Sequence, residues 1–453
     1  MFKKIQLQFN TFFSEGHSRT LLAKKNIATS FLIKGGSIVV GLLLVPMTIN
    51  YVNSTQYGIW LTLSSIISWF SFFDIGLGNG LKNKLAETNA LGQNEKSQIY
   101  VSTTYGILSI ISLLVFFIFL CFNPFLNWAK ILNTTNYDGQ SLNDVALIVV
   151  GFFCISFVFQ LINTILTANH KPAIASLIGF VGSFFSLVVV FLLTKSTDSS
   201  LINLVLVLAG IPLIVQILYT IFLFKTRLKI ISPKFKLIDF KYAKELLSIG
   251  GVFFIIQIGA LVLFQTDNIV ITQLFGPKEV TTFNIAYKLF SVIIMIFTII
   301  ITPFWSAFTD AYAKNDLEWM QSVINKMQKY WLLLIAITIF LLILSPLIFK
   351  LWLGDSVKIP FSLSIAMTVY VIAYAWQTIH VFLLNGIGKI RLQLYLVVLS
   401  AVVNIPLAII LGNKIGLAGI TLSNALLFII MGIIFSAQCK KILNKSASGI
   451  WIK

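Results

Sequence analysis

The sequence of 453 residues has little charge and few of the residues on which soluble catalytic sites depend. Only 11% of the residues are charged, against about 25% in a typical soluble domain, and there are three histidines and three cysteines. Cys121, Cys154 and Cys439 are far apart and form no CxxC pair, which argues against a metal site or a disulfide framework. The absence of a GxxxxGK[ST] motif argues against an ATPase. We therefore expect no metal site, no bound cofactor and no catalytic centre.

Apolar residues, in contrast, are abundant: they make up 58% of the chain and give it a mean hydropathy of +0.93. They form continuous runs of about 20 residues, long enough for a helix to cross the roughly 30 Å hydrocarbon core of a bilayer. Continuous runs favour helices over a barrel, whose strands alternate over about ten residues. The sequence therefore predicts an all-α polytopic membrane protein. We place twelve spans at 27–49, 56–73, 99–122, 145–168, 173–194, 201–224, 246–274, 280–304, 330–350, 361–385, 392–412 and 416–438.

Basic residues are distributed unequally between the two sides of this topology. The loops on the side of both termini carry 25 Lys and Arg residues, the opposite loops carry 6, and two lie inside spans. Cytoplasmic loops of membrane proteins carry the excess of Lys and Arg, so both termini are predicted to be cytoplasmic. The net charge of +18 then follows from topology and indicates no nucleic-acid partner. Contacts with anionic lipid headgroups are compatible with it.

The longest central hydrophilic segment follows the sixth span and divides the predicted spans into two groups of six. Nearly constant offsets of 215, 217 and 218 relate Gly35 and Gly36 to Gly250 and Gly251, Gln160 to Gln377, and Lys171 to Lys389. Such offsets are expected of a parallel repeat about an axis along the membrane normal. We predict an N-terminal lobe at 1–224, a cytoplasmic basic linker at 225–245 and a C-terminal lobe at 246–453.

Three charged residues lie inside predicted spans, where insertion costs about 2.5–3.5 kcal/mol each and charges usually face a cavity or a partner. Lys34 lies roughly 11 Å into the first span, at 1.5 Å per residue, and two glycines follow it. It is either a cation for an anionic substrate or a lysine that reaches the headgroups. Asp267 and Lys288 lie at similar depths in consecutive spans, so we expect an ion pair between them. That pair would be structural, or would open when protons or substrate arrive.

Two further acids and four uncharged polar residues complete the candidates. Asp74 closes the second span and Asp310 follows the eighth. Each would brace a cytoplasmic gate through nearby lysines, or would be a solvated helix end. The polar residues of the fourth and tenth spans are Gln160, Asn163, Gln377 and His380. These four are candidate sugar contacts, although amides also join helices to one another and a lone histidine is more often a satisfied polar residue than a proton carrier.

Four segments carry a family resemblance: FFDIGLGNGLKNKLAE at 72–87, TDNIVITQLFGPKEVTTFNIAYKLF at 266–290, LNGIGKIRLQLYLVVLSAVVNIP at 384–406 and GLAGITLSNAL at 416–426. They resemble the Wzx-type repeat-unit flippases of bacterial surface polysaccharide, also named polysaccharide biosynthesis transporters. That family belongs to the multidrug, oligosaccharidyl-lipid and polysaccharide exporter superfamily. The resemblance extends over nearly the whole chain.

The resemblance implies two pseudo-symmetric six-helix lobes around a central cavity that opens alternately to the two faces of the bacterial cytoplasmic membrane. Spans 1, 2, 7 and 8 would line this cavity. The implied substrate is an undecaprenyl-pyrophosphate-linked oligosaccharide, moved to the outer leaflet for O-antigen, capsule or exopolysaccharide synthesis. Lys34 and Lys288 would bind its pyrophosphate, and Asp267 would couple transport to a proton or sodium gradient. Membrane lipids, a polymerase and other polysaccharide-assembly proteins are the implied partners.

Two other functions stay open. A multidrug antiporter of the same superfamily would be expected to hold unpaired acids for cationic drugs, whereas the predicted spans hold two lysines and one acid. A membrane polysaccharide polymerase or ligase has a similar length and hydropathy but tends to have a larger external loop with Arg and His. The longest external loop here, 123–144, has only Lys130, Asp138 and Asp144 as charged groups.

Overall fold

The computed structural model describes residues 18–69, 74, 76–134, 139–169, 171–247, 265–302 and 304–452. Ten helices within these ranges are long and apolar enough to cross a membrane. They are Leu32–Val52, Asn94–Phe125, Leu142–Ala168, Ala173–Ser196, Leu201–Lys225, Pro277–Ile301, Leu317–Leu353, Phe361–Gly386, Arg391–Ile415 and Leu417–Leu443. They correspond to ten of the predicted spans, which confirms a helical, multi-pass membrane protein. The second and seventh predicted spans, and with them Gly250 and Gly251, fall partly or wholly outside the described ranges, so the count of twelve stays a prediction.

We number the helices used below in chain order. They are α1 Ser18–Val52, α2 Ser54–Ser68, α3 Leu77–Ala90, α4 Asn94–Phe122, α5 Gly139–Phe159, α6 Leu161–Ala168, α7 Pro172–Ser196, α8 Ile211–Lys225, α9 265–275, α10 Pro277–Ile301, α11 Phe304–Ala313, α12 Leu317–Leu353, α13 Phe361–Gly386, α14 Arg391–Ile415 and α15 Leu417–Leu443. Short helical turns lie between them at Asn123–Phe125, Trp128–Ile131, Leu201–Val205, Leu206–Gly210, Lys229–Ile231, Phe235–Leu237 and Phe240–Tyr242.

Local sequence determines where several of these helices begin. Asn53 precedes α2, and its side-chain oxygen accepts hydrogen bonds from the backbone N–H groups of Thr55 and Gln56, both at 3.0 Å. Pro277 is the first residue of α10, where a missing N–H is harmless. The preceding Gly276 has φ 88°, a left-handed conformation that glycine adopts without strain. The short break between α9 and α10 is therefore set by a glycine–proline pair.

The chain forms two compact units. Unit 1 contains Met1–Met47, Phe73–Phe125 and Asp144–Phe253, and unit 2 contains Thr48–Phe72, Leu126–Asn143 and Phe254–Lys453. Helix α2 belongs to unit 2 because it packs closely on α10: a Cβ at Gly58 would overlap the carbonyl group of Pro277. The lobe boundaries predicted at residues 224 and 246 stay a prediction.

Unit 1 is organised around an apolar core. Leu77, Leu81 and Leu85 recur every four residues on one face of α3, and none is more than 1% exposed. Residues of α4, α6, α8 and the linker complete the same core: Tyr100, Val101, Leu108, Leu161, Ile162, Ile165, Leu223, Leu228 and Ile231. The linker at 225–245 is thus packed onto unit 1 by its own apolar residues.

Unit 2 is organised around α13 and α15, the most enclosed of the candidate spans. In each, 67% of the most apolar stretch is buried, against 22% for the span in α12. The two helices approach closely, since a Cβ at Gly432 would lie 2.6 Å from the ring of Trp376. Helices that are mostly shielded from lipid can carry polar side chains without exposing them to acyl chains. The candidate site lies between these two helices and helices α9 and α10.

Candidate functional site

A small polar cavity of about 190 Å³ lies among helices α9, α10, α13 and α15 of unit 2. Its lining residues are Gln265, Asp267, Asn268, Phe283, Asn284, Tyr287, Met367, Tyr370, Thr421 and Asn424. One of them, Asp267, carries a carboxyl group, and the others are amides, a hydroxyl, aromatic rings and a thioether. We refer to this cavity as the Asp267 pocket.

Asp267 is held by amides rather than by a cation. It is 6% exposed, and its Oδ2 accepts a hydrogen bond of 2.7 Å from Nδ2 of Asn424 on α15. Asn424 in turn accepts one of 2.7 Å from Nδ2 of Asn404 on α14. The second carboxyl oxygen, Oδ1 of Asp267, is buried and has no hydrogen-bond partner. Buried polar atoms are nearly always satisfied, so an unpartnered carboxyl oxygen marks a place where a proton or ion can bind.

Asn268 begins a second polar chain that joins α9 to α10 and α2. Nδ2 of Asn284 donates to Oδ1 of Asn268 at 2.7 Å, and Nδ2 of Asn268 donates to Oγ of Ser65 at 2.7 Å. One turn further along α9, the hydroxyl oxygens of Thr272 and Thr62 lie 2.7 Å apart. Three helices of unit 2 are therefore joined by amide and hydroxyl contacts, the kind that joins helices in lipid.

Helix geometry explains why the adjacent residues Asp267 and Asn268 contact different helices. Successive side chains on an α-helix point about 100° apart, so Asp267 faces α15 while Asn268 faces α10 and α2. Asn404 and Asn424 meet because α14 and α15 are antiparallel neighbours, joined at Gly416, whose φ is 65°. Asn424 thus contacts the carboxyl group directly, and Asn404 contacts Asn424.

Aromatic rings form the remaining wall of the Asp267 pocket. The rings of Phe283 and Tyr287 are stacked, with centroids 6.4 Å apart, and Tyr287 meets Tyr370 edge-on at 6.1 Å. Ring faces carry partial negative charge and attract cations. Carboxyl, amide and hydroxyl oxygens are ligands for hard cations and for protons. The chemistry of the pocket therefore suits a proton or a small monovalent cation.

Lys288 does not form the ion pair predicted with Asp267. Both residues lie in the described part of the chain, and the ion pair found there, between Lys84 and Glu87 at 3.0 Å, involves neither of them, so this prediction is wrong. The cause is the rotation of α9: Asp267 faces α15, and the contact between the consecutive helices α9 and α10 is made by Asn268 and Asn284 instead. Lys288 is half-buried and lies one turn beyond Asn284.

Lys34 lies on α1 with an exposed side chain. The two glycines after it have different surroundings. A Cβ at Gly36 would lie 2.8 Å from the ring of Phe180 on α7, whereas a Cβ at Gly35 would meet nothing within 4 Å. Gly36 therefore permits a close helix contact, and the role of Lys34 as a substrate cation stays a prediction.

Asp74 contacts a helix terminus instead of a lysine. Its Oδ1 accepts a hydrogen bond of 2.9 Å from the backbone N–H of Gly78 in the first turn of α3, where the helix dipole favours a negative charge. Burial raises the pKa of Asp74, and the Gly78 hydrogen bond opposes that rise. Asp310 lies on α11, but its side chain is outside the described part of the structure, and a gating role for either acid stays a prediction.

The four predicted sugar contacts do not line the Asp267 pocket. Gln160 is exposed at the break between α5 and α6, and Oδ1 of Asn163 is buried without a partner. Gln377 is 9% exposed on α13. His380 is 1% exposed, and its Nδ1 lies 3.1 Å from the carbonyl oxygen of Trp376 in its own helix, which matches a satisfied core histidine. Contacts of these residues with sugar stay predictions.

Sequence reasoning missed the amides that surround Asp267: Asn268, Asn284, Asn404 and Asn424. A signal was present, because each is an asparagine inside an apolar span. All four also lie in the segments that carry the family resemblance. An amide inside a span needs a hydrogen-bond partner, and this holds for these four asparagines as it does for Gln160 and Gln377.

Two family models match the chain. The model described as polysaccharide biosynthesis protein matches residues 23–308, which is more than half of the chain. The model described as MatE matches residues 252–410. Together they cover nearly all of the candidate spans.

Related proteins point in the same direction. A Yersinia pseudotuberculosis protein named for O-antigen export is 22% identical over 358 residues, covering 77% of this chain and 79% of its own length. A Salmonella typhimurium protein named for O-antigen transport is 23% identical over 417 residues, covering 87% of this chain and 92% of its own length.

Solved structures share the fold. An inward-facing multidrug resistance MATE family transporter of the MOP superfamily matches with a TM-score of 0.74 at 15% identity, over 91% of this chain and 96% of its own. The lipid II flippase MurJ, in an inward closed conformation, matches with a TM-score of 0.69 at 16% identity, over 91% of this chain and 87% of its own. At these identities the likeness concerns the fold.

Proposed function

The chain belongs to the polysaccharide biosynthesis protein family of the multidrug, oligosaccharidyl-lipid and polysaccharide exporter superfamily, and we propose that it is a flippase for lipid-linked oligosaccharides. Relatives named for O-antigen export and transport support this proposal, as does the fold shared with a lipid II flippase. The substrate would cross without covalent chemistry, so the protein would act as a transporter and not as an enzyme.

The proposed substrate is an undecaprenyl-pyrophosphate-linked repeat unit, carried from the cytoplasmic to the outer leaflet of the bacterial cytoplasmic membrane by alternating access. Both termini would be cytoplasmic, as the distribution of Lys and Arg favours. A pyrophosphate in a low-dielectric region needs a compensating cation, and Lys34 and Lys288 are the basic residues that lie within predicted spans. A polymerase and other polysaccharide-assembly proteins would take the delivered product.

The observation that carries the mechanism is the unpartnered Oδ1 of Asp267 in a pocket of amides and aromatic rings. Amides orient a carboxylate but do not neutralise it, and an uncompensated charge inside a membrane protein is costly. A proton or a sodium ion at Asp267 would supply the missing charge. We propose that its binding and release bias the helices of unit 2 between two arrangements, which would couple transport to an ion gradient.

A second function has one specific observation in its favour. Because the predicted ion pair with Lys288 is not formed, Asp267 is a carboxyl group without a cationic partner. That is the feature expected of a site for cationic drugs, and the MatE model matches this part of the chain. A multidrug antiporter is therefore the alternative to test beside the flippase.

Transport by the purified protein in sealed vesicles separates the two functions. One set of vesicles receives a fluorescent undecaprenyl-pyrophosphate-linked oligosaccharide, and a second set receives a cationic dye, each under an imposed proton gradient, a sodium gradient or none. We expect the lipid-linked sugar to reach the opposite leaflet, faster with one of the gradients. Movement of the dye alone would establish the antiporter, and indifference to both gradients would remove the coupling proposal.

A further inference from the structure

The linker at 225–245 is a folded element bound to helix α4, although its composition suggests a flexible tether. Side chains of α4 and the backbone of the linker form three hydrogen bonds along this contact. These are Gln98 Nε2 to the Ser232 carbonyl at 2.7 Å, the Lys234 N–H to Ser102 Oγ at 3.0 Å, and the Asp239 N–H to Thr103 Oγ1 at 3.0 Å. The position of the linker on unit 1 is therefore fixed.

The linker divides its apolar side chains between two environments. Leu228 and Ile231 are each 6% exposed and are part of the core of unit 1. Ile230, Phe235 and Phe240 are exposed over 67%, 95% and 58% of their surfaces, and Phe235 and Phe240 also line the cavity described below. Phe235 stands between Lys234 and Lys236. Alternating aromatic and basic residues are typical of segments that lie at the membrane–water interface.

A cavity of about 810 Å³ lies under this linker, between it and helices α4, α5 and α8. Its walls are mainly apolar and include Leu113 and Ile221, whose side chains are 56% and 45% exposed on the outer faces of α4 and α8. The cavity therefore opens sideways, toward the acyl chains of a bilayer. Two charged residues line it, Lys225 and Lys234, and both are lysines with exposed side chains.

The acidic residues of the linker are already engaged elsewhere. The linker carries seven basic residues and two acidic ones, Asp239 and Glu245. Oδ1 of Asp239 accepts from the backbone N–H of Lys241 at 3.0 Å, and Oε2 of Glu245 accepts from the hydroxyl of Tyr100 at 2.6 Å. Neither acid lines the cavity, so the two lysines at its mouth attract an anion.

We propose that this cavity binds one anionic phospholipid, with an acyl chain along α4 and α8 and the headgroup phosphate between Lys225 and Lys234. Shape and charge both favour this occupant: the walls suit an acyl chain, and the mouth suits a phosphate at the membrane surface. A bound lipid would hold the linker against unit 1. The site is formed by the linker and helices α4, α5 and α8, and it does not depend on the proposed transport function.

A groove in unit 2 offers an internal comparison. It has a volume of about 380 Å³ between α10 and α12 and is lined by Tyr330 and seven aliphatic or aromatic residues, with no charged side chain among them. Such a groove accommodates any acyl chain and gives no preference for a headgroup. Selectivity for anionic lipid is therefore expected from the linker cavity alone.

Lipid binding to the delipidated full-length protein tests the proposal. Native mass spectrometry or fluorescence titration would compare phosphatidylglycerol with phosphatidylcholine for the wild type, the double variant Lys225→Gln with Lys234→Gln, and the control Lys229→Gln with Lys236→Gln. The control removes two exposed linker lysines that do not line the cavity. We expect the first double variant to bind phosphatidylglycerol about 25-fold more weakly, equivalent to about 2 kcal/mol, and the control less than about threefold more weakly.

Several results would overturn the proposal. Equal losses in the two double variants would mean general attraction to a basic surface, and equal affinity for phosphatidylcholine would mean that the headgroup is not recognised. Competition by inorganic phosphate as strong as by phosphatidylglycerol would assign the lysines to a soluble anion. One-for-one displacement by undecaprenyl phosphate would assign the cavity to the transport substrate.

Ser109→Trp, which fills the cavity without changing charge, should also abolish binding while the folded protein keeps its wild-type melting temperature.

Discussion

The two units of this chain bury different chemistry in the same kind of apolar helix. In unit 1, leucines of α3 pack against α4 and α6, and Leu81 and Leu85 are fully enclosed. In unit 2, the interior around Asp267 contains separate groups of hydrogen-bonded asparagines, threonines and a serine, which together join α2, α9, α10, α14 and α15. Among the described residues, only the second interior has a buried carboxyl oxygen without a hydrogen-bond partner.

This difference teaches that burial serves two purposes in the molecule. An apolar core stabilises one arrangement of helices, and removing part of it lowers the free energy of unfolding. A polar interior with unsatisfied atoms is poorly suited to maximum stability, because each unsatisfied atom costs free energy. Such an interior is retained where something binds. Substitutions in unit 1 should therefore change stability, and substitutions in the Asp267 pocket should change transport.

The largest expected effect follows from Asp267→Asn. The amide keeps the size of the side chain and a hydrogen bond to Asn424 but carries no charge for a proton or sodium ion to compensate. We expect the gradient-dependent part of transport to be abolished, measured in sealed vesicles with and without the imposed gradient. Asp355→Asn, at an exposed position of unit 2, is the control and should transport like the wild type. Full gradient dependence in Asp267→Asn would exclude this residue from coupling.

Leu81→Ala should have the opposite profile. Removing a fully buried leucine leaves a cavity, so we expect the free energy of unfolding to fall by about 2–5 kcal/mol, measured by thermal or chemical unfolding in detergent. Transport per folded molecule should stay close to that of the wild type. Leu91→Ala removes the same atoms from a residue that is 63% exposed just after α3 and should cost little. A transport defect in Leu81→Ala that exceeds its loss of folded protein would contradict the separation of roles.

Asn424→Leu lies between these two cases. It removes the donor to Asp267 and the acceptor for Asn404, two interhelical hydrogen bonds that together contribute about 1–2 kcal/mol to stability. It also leaves both oxygens of Asp267 without protein donors, so we expect a shifted apparent affinity for the coupling ion, read from transport rates against ion concentration. Ser423→Ala removes a hydroxyl that bonds only within its own helix and should change neither quantity. An unchanged ion affinity in Asn424→Leu would show that the amide is only structural.

The smallest effect is expected at Asp74, a half-buried acid of unit 1. Burial raises its pKa in the folded state, so the folded protein holds this proton more tightly than the unfolded chain does. The stability that this proton contributes is present at acid pH and is lost as the pH rises through the folded-state pKa. Asp74→Asn should remove that pH-dependent loss, seen as a flatter dependence of the melting temperature on pH. Asp144→Asn, at an exposed position of the same unit, should keep the wild-type slope.

Much of the fold could be predicted because lipid imposes simple rules on sequence. Ten of the predicted spans are helices of sufficient length, and the linker falls where the run of apolar residues is interrupted. The site was only partly predictable. Asp267 was recognised because a charge inside a span is rare, but its partner was expected on the consecutive helix. Lys288 was the expected partner because the two residues lie at similar depths in consecutive spans. The rotation of α9 about its axis instead places Asp267 against Asn424. Successive side chains on a helix point about 100° apart, and the hydropathy of a span does not predict which neighbouring helix each of them faces.

The sequence by itself determined the membrane class, the location of most spans, the family and the rarity of charge that singles out Asp267. It could do so because every backbone N–H and C=O group in lipid must be hydrogen-bonded within its own helix. Each span is therefore a continuous apolar stretch that can be recognised from the local sequence. Only the tertiary structure decided which polar residues meet. Asn424 reaches Asp267 across 157 residues of chain, through helix rotation and close packing, and Asn404 is bonded to Asn424. The same packing placed the basic linker over an apolar cavity, because the linker binds residues of α4 that are distant in sequence.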